Sequence, residues 1–261
     1  MIIPKAIQSA IDDSKCSIDN IGMSDSTVVI FDQQVLKIQA LGKESETEYA
    51  MLKWLNGQLP VPKIQAFIEE NQKSYLLMSK IPGFMACTDG YKVNPEKLTT
   101  LLAKALKKLW EVDIQSCPCD QQLEKKLEQA QFNVENHLVD MENVEAETFG
   151  ASGFKDPADL LKWLMANKPE EDFVLSHGDF CLPNIFFEAD EIKGYIDLGR
   201  AGKADKWQDI ALCYRSLRDN LEGKRASSSQ VKYDAKKLFD KLDIEPDWEK
   251  IKYYILLDEL F

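Results

Sequence analysis

Ser176-His177-Gly178-Asp179-Phe180-Cys181-Leu182-Pro183-Asn184, followed by Tyr195-Ile196-Asp197-Leu198-Gly199, is the most informative stretch of this 261-residue chain. Asn184 stands five positions after Asp179, and Asp197 opens an Asp-x-Gly. Between them, Ile185-Phe186-Phe187 and Ile192-Lys193-Gly194-Tyr195-Ile196 flank Glu188-Ala189-Asp190-Glu191. That pattern reads as a hairpin, which returns Asp197 to within reach of Asn184. A carboxylate at Asp179 can orient and deprotonate an attacking hydroxyl. The Asn184 amide oxygen and the Asp197 carboxylate are hard ligands suited to Mg²⁺ bridging phosphates. Singly, each fits a turn in which a polar side chain caps backbone groups. Together, at this spacing, they point to phosphoryl transfer, with Asp179 as base and Asn184 and Asp197 as metal ligands.

Upstream lie further residues that such chemistry needs. Thr27-Val28-Val29-Ile30-Phe31 and Val35-Leu36-Lys37-Ile38 are β-branched and apolar, separated by a polar turn at Asp32-Gln33-Gln34. They predict two strands, with Lys37 on the second and placed to hold phosphate oxygens. Glu44 to Leu55 reads as a helix closing at Gly57, and Glu48 on it, eleven residues after Lys37, is the expected ion-pair partner. Gly22 to Ser26, Ser24 included, precedes the first strand and takes the position of a loop covering the phosphates. An extended segment from Val61 and a hairpin from Ala66 to Met78 complete a region of five short strands and one helix. After Pro82-Gly83 the chain turns mainly helical: Pro95–Asp113, Gln121–His137 and Pro157–Met165, then more helix from Trp207. An acidic loop spans Asp140 to Thr148. The expectation is an α+β chain of two lobes. Residues 1–80 form a small antiparallel-sheet N-lobe with one helix that binds nucleotide, and residues 81–261 a larger, mainly helical C-lobe with the catalytic loop and substrate site.

A formal net charge of −12 argues against nucleic acid as the main partner and suits a cationic ligand. No run of about 20 apolar residues offers a membrane span, and the N-terminal sequence lacks a secretory pattern, so a cytoplasmic location is expected. The six cysteines are scattered, and a reducing compartment keeps them as thiols. Cys117-Pro118-Cys119 lacks the second Cys/His pair that a zinc site requires.

The Asp179–Gly199 segment fits the catalytic and metal-binding motifs of kinases, and over nearly its whole length the chain resembles the aminoglycoside 3′-phosphotransferases, bacterial resistance enzymes with a protein-kinase-like fold. The likeness is densest in Leu59-Pro60-Val61-Pro62-Lys63, Ile196-Asp197-Leu198-Gly199-Arg200, Ala204-Asp205-Lys206-Trp207-Gln208-Asp209-Ile210-Ala211 and the tail from Pro246 to Phe261. The resemblance implies ATP and Mg²⁺ as cofactors and the 3′-hydroxyl of an aminoglycoside antibiotic as acceptor. Another small hydroxyl-bearing metabolite, a sugar or amino alcohol, and a non-catalytic nucleotide-binding protein are the alternatives. It also implies that Met78, Ser79, Ile81, Phe186 and Ile196 surround the adenine. Arg200 and Arg215 fall on the substrate side, and Asp258, Glu259 and the carboxylate of Phe261 meet the drug. The chain departs from the family pattern at Val35, where relatives place an aromatic ring, and in the acidic loop at Glu142, Glu145 and Glu147. Cys16 has a counterpart in relatives that dimerise through cystines, but no second cysteine lies near Glu145, so a monomer is expected.

Overall fold

A computed structural model describes residues 3–11, 16–19, 26–145, 147–150, 153–224 and 231–261. The expected phosphate-covering residues from Gly22 to Asp25, Ser24 among them, lie outside the described residues. The chain forms two compact units, Met1–Ala86 with Pro183–Ala201, and Cys87–Leu182 with Gly202–Phe261.

The first unit is built on a five-stranded antiparallel sheet. Strands β1 (Ser17–Asp19), β2 (Thr27–Ile30), β3 (Gln34–Ala40), β4 (Ile64–Glu70) and β5 (Lys73–Ser79) lie in the order β1-β2-β3-β5-β4. Helix α1 (Lys5–Gln8) packs Ile7 into a cluster with Val29, Phe31, Leu36, Ile38, Tyr75 and Leu77. Each such side chain contributes roughly 1.5–3 kcal/mol when fully buried. Helix α2 (Lys43–Leu55) starts where Ser45 Oγ accepts the Gly42 N–H at 3.0 Å, and it buries Glu48, Met51, Leu52 and Leu55. The expected number of strands is met by a different set. Residues 64–70 make one strand rather than two, and β1 adds an edge strand of three residues, too short to show a period.

A second, three-stranded sheet completes this unit. It joins β6 (Phe84–Met85) to β8 (Ile185–Glu188) and β9 (Glu191–Tyr195), in the order β6-β8-β9. The β8–β9 hairpin is the one expected from the sequence, with Ile185 opposite Tyr195 and a register shift between Phe186 and Phe187. Tyr195 N–H donates to Pro60 O at 3.0 Å and Ile196 N–H to Asn184 O at 3.0 Å.

The second unit is mainly helical: α3 (Asp89–Lys92), α4 (Pro95–Trp110), α5 (Leu123–Glu135), α6 (Pro157–Ala166), α7 (Lys206–Leu221), α8 (Lys237–Leu242) and α9 (Trp248–Asp258). Leu98, Leu102, Ala105 and Leu106 of α4 are fully buried, as the spacing of apolar residues predicts. One short ribbon pairs β7 (Phe173–Ser176) antiparallel with β10 (Gly202–Asp205) and leads into the segment that carries Asp179. Among the described residues no helix is long and apolar enough to cross a membrane.

Gly83 fixes how β6 meets the hairpin. Its φ is +86°, and a Cβ there would sit 2.4 Å from Phe187 O. Gly83→Ala should therefore destabilise the protein by about 2 kcal/mol or more, since both backbone strain and a backbone clash oppose it. Urea unfolding of the variant checks this; a change under about 0.5 kcal/mol would contradict it.

Candidate active site

Lys37 leaves β3 toward α2 and is only 8 % exposed. Its ammonium donates to Glu48 Oε2 at 2.9 Å and to Asp197 Oδ1 at 2.6 Å. Burial works to lower the Lys37 pKa, but attraction to Glu48 and Asp197 and their hydrogen bonds outweigh it, and the net shift is upward. Lys37 is therefore a permanent cation at neutral pH. Glu48, 1 % exposed, is pushed upward by burial, and the Lys37 ammonium opposes that. Asp197 closes the β8–β9 hairpin in a left-handed conformation, φ 60° and ψ 57°, which aspartate tolerates better than most residues. Two sequence-predicted carboxylates thus converge on one buried, sequence-predicted cation.

Asn184, 9 % exposed, joins this group through its backbone, since its carbonyl accepts the Ile196 N–H one residue before Asp197. Asn184 and Asp197 therefore stand at the same end of the hairpin. Among the described residues, no set of three or more His, Cys, Asp or Glu could hold a metal by itself. An amide oxygen and a carboxylate are hard oxygen donors of the kind Mg²⁺ accepts, one or two from the protein with phosphates and water completing its shell. Met78 is buried on β5, while Ile81, Phe186 and Ile196 are half-buried in the same unit. The Ser79 N–H already donates to Lys63 O at 2.9 Å, and Ser79 Oγ accepts the Lys63 N–H at 2.9 Å. Arg200 Nε pairs with Glu44 Oε1 at 2.8 Å and so ties the turn after Asp197 to α2.

Asp179 belongs to the second unit, where α7 organises the loop that carries it. Asp209, fully buried on α7, accepts Ser176 Oγ–H at 3.0 Å, His177 N–H at 2.6 Å and Gly178 N–H at 3.0 Å. Burial pushes the Asp209 carboxyl upward against the pull of His177 and these donors. Gln208 Nε2 donates to Gly178 O at 2.9 Å, and Ser216 Oγ accepts Leu182 N–H at 3.0 Å. Cys181 lies against Asp179; burial first, then the Asp179 charge, raises its thiol pKa. The anchors on α7 have weak sequence signals. Their one hint is an aspartate amid the apolar run Trp207-Gln208-Asp209-Ile210-Ala211, in the first turn of a helix.

Arg215, also on α7, pairs its Nη2 with Asp258 Oδ2 and stands 3.6 Å from Glu259 Oε1. The structure thus gathers Arg215, Asp258 and Glu259 at the end of α9. The Phe261 ring lies 5.7 Å from the Lys126 ammonium. Glu259 is 7 % exposed, and its carboxyl is pushed up to about 7. Burial is the main cause, opposed by the Glu145 N–H and the Arg215 charge.

A family model for the phosphotransferase enzyme family (APH) matches residues 17–251. An aminoglycoside 3′-phosphotransferase of Staphylococcus aureus is 43 % identical over 220 residues, 83 % of this chain and 79 % of that protein. Another, from Enterococcus faecalis, is 39 % identical over 274 aligned residues, covering 100 % of this chain and 99 % of the relative. Among solved structures, an aminoglycoside-3′-phosphotransferase of type VIII matches with a TM-score of 0.80 at 25 % identity, covering 98 % and 97 % of the two chains.

The raised Glu259 pKa has a consequence for stability. Folding favours the protonated form, so this group's contribution is full below its ordinary value of 4.5 and is lost as pH rises through about 7. Glutamine cannot ionise. Glu259→Gln should therefore gain stability relative to the parent between pH 5 and pH 8, by up to about 3 kcal/mol. Thermal unfolding of both proteins at the two pH values measures it; a gap that stays constant or narrows toward pH 8 would contradict it.

Proposed function

The chain belongs to the phosphotransferase enzyme family, and on that premise we propose that it transfers the γ-phosphoryl group of ATP to an aminoglycoside antibiotic, at the 3′-hydroxyl, and so confers resistance. The observation that carries the phosphotransfer reading is the buried Lys37 ammonium held between Glu48 and Asp197. The acceptor class is supported by the relatives named as aminoglycoside 3′-phosphotransferases. A net charge of −12 favours a polycationic substrate by steering it electrostatically.

In this reading Lys37 holds phosphate oxygens and Glu48 fixes the direction of its ammonium. A lysine has three N–H donors, and the two carboxylates take two of them. Asn184 and Asp197 hold Mg²⁺, which when bound neutralises charge on the phosphates. Met78, Ser79, Ile81, Phe186 and Ile196 line the adenine side; Ser79 and Ile81 offer backbone groups, and since the Ser79 N–H is engaged, its carbonyl is the group presented. Asp179 accepts the proton of the substrate hydroxyl as that oxygen bonds to the γ-phosphorus and the bond to ADP breaks. The Asp209, Gln208 and Ser216 contacts keep the Asp179 loop in place, so little reorganisation is needed in the transition state. Arg200, Arg215, Asp258 and the Phe261 carboxylate belong to the substrate side. Residues 1–80 serve as the nucleotide lobe and 81–261 as the lobe of the base and substrate, and the enzyme works as a cytoplasmic monomer without nucleic-acid or membrane partners.

Coupled ADP release against a panel of aminoglycosides, sugars and amino alcohols tests the acceptor class, and phosphorus NMR of the product locates the phosphate. Asp179→Asn should lower kcat by about 10²–10⁴-fold with the KM for ATP nearly unchanged. Asp197→Ala should abolish detectable transfer. Turnover of a sugar but of no aminoglycoside would overturn the acceptor; near-parental turnover by Asp179→Asn would overturn the base.

A further inference from the structure

Where α8 packs beside α4, the second unit carries a basic hollow, in a chain whose formal net charge is −12. A cavity of about 470 Å³ opens there, lined by Lys104, Lys107 and Lys108 of α4 and Lys241 of α8, with Thr100, Ala103 and Glu111 beside them. Four lysines thus share the hollow with one glutamate. Lys107 Nζ donates to Lys241 O at 3.0 Å. That bond satisfies a carbonyl in the last turn of α8, whose negative end would otherwise repel an anion. Lys241 Nζ pairs with Glu96 Oε1 at 2.5 Å, and Lys237 takes the other Glu96 oxygen at 3.2 Å. Glu96 is therefore spent, and so is the Thr100 hydroxyl proton, which goes to Glu96 O at 2.9 Å. Lys104 and Lys108 have no ion-pair partner among the described residues. They stand four positions apart on one helix, with Lys107 between them. Like charges at that spacing repel each other and destabilise a helix unless a counter-charge joins them.

We propose that this hollow is a second binding site, for a short inorganic chain of three or more phosphates held by Lys104, Lys107, Lys108 and Lys241. None of these residues belongs to the transfer site described above, and the assignment does not depend on that reading. The choice of residues points to the ligand class. An ammonium is a point charge with three donors, which meets tetrahedral phosphate oxygens in any orientation, whereas a planar carboxylate is matched by the arginine fork. No arginine lines the hollow. No aromatic ring lines it either, so a nucleobase finds no surface to stack on, and recognition falls to the phosphate chain. Its volume lies in the range of about 300–1,000 Å³ usual for small-molecule sites and leaves room for more than one phosphate. A polyanion seated there supplies the counter-charge that Lys104 and Lys108 lack.

Brief, low-conversion acetylation of the full-length protein, followed by mass spectrometry, reads each lysine separately, so phosphate bound beside Lys37 does not register as occupancy of the hollow. At about 20 mM salt, inorganic triphosphate should slow acetylation of Lys104, Lys107 and Lys108 by about threefold or more. Lys53 and Lys162, exposed elsewhere on the chain, should react as before. Protection should rank triphosphate above pyrophosphate above orthophosphate, and should fade at about 0.5 M salt as the charges are screened. Lys104→Gln combined with Lys108→Gln removes the two unpaired charges and leaves the Lys107 bond to α8 in place. In that variant the triphosphate Kd, followed at Lys107, should rise by about tenfold or more. No protection in the parent at about 10 mM triphosphate would overturn the site. An unchanged Kd in the double variant would overturn the assignment of the two lysines. Equal protection by citrate or by a polyglutamate peptide would overturn the phosphate class. Should the double variant fail to fold, the footprint and anion ranking of the parent still decide the proposal.

Discussion

A buried ammonium cannot stay charged without counter-charges, and the first unit is arranged around that constraint. Lys37 projects from the centre of a sheet into surroundings that burial would otherwise make hostile to a cation. Glu48 reaches it from α2, and Asp197 reaches it from a segment 160 residues further along the chain. Removing either partner leaves a buried charge poorly compensated, which costs far more than a surface ion pair contributes. Sheet, helix and hairpin are therefore held to one geometry. Close packing at Gly199, where a Cβ would lie 3.2 Å from Glu44 O, and the Arg200–Glu44 pair tighten it further.

In the second unit the corresponding part is played by a helix with buried polar residues. Asp205, Gln208, Asp209, Arg215 and Ser216 all lie on or at the start of α7 and are nearly inaccessible to solvent. Each would be costly to bury alone, and each is matched to a specific donor or acceptor. Asp205 caps the helix through the Trp207 N–H at 3.2 Å and accepts Tyr254 Oη–H at 2.9 Å, which ties α9 to the start of α7. Asp209 and Ser216 grip the loop bearing Asp179, and Arg215 grips the far end of α9. One helix thus sets both the proposed base and the acidic C-terminal turn.

Much of this was legible in the linear sequence because it follows from local chemistry. The strands at Thr27 and Val35, the helix carrying Glu48 and the hairpin between Asn184 and Asp197 are written in side-chain period and turn residues. Strand β1, with a single apolar residue in three, and the four-residue α1 were not legible, since neither is long enough to display a period. The two-residue β6 exists only because β8 is there to pair with it. Pairing of this kind is a contact with distant sequence, and no local window contains it.

The sequence by itself determined which residues are the candidates for chemistry: Lys37, Asp179, Asn184 and Asp197 have the types, order and spacing that phosphoryl transfer needs. Only the tertiary structure decided how each is held. That Glu48 is the partner of Lys37 was an expectation from position, and the 2.9 Å contact is its physical content. That Glu259 spends its oxygens on a backbone amide and an arginine, while Asp258 beside it stays more open, is nowhere in the string Asp258-Glu259. The reason is geometric. Adjacent residues on a helix point about 100° apart, so two acids of similar chemistry face different neighbours and differ in burial, which the whole fold sets.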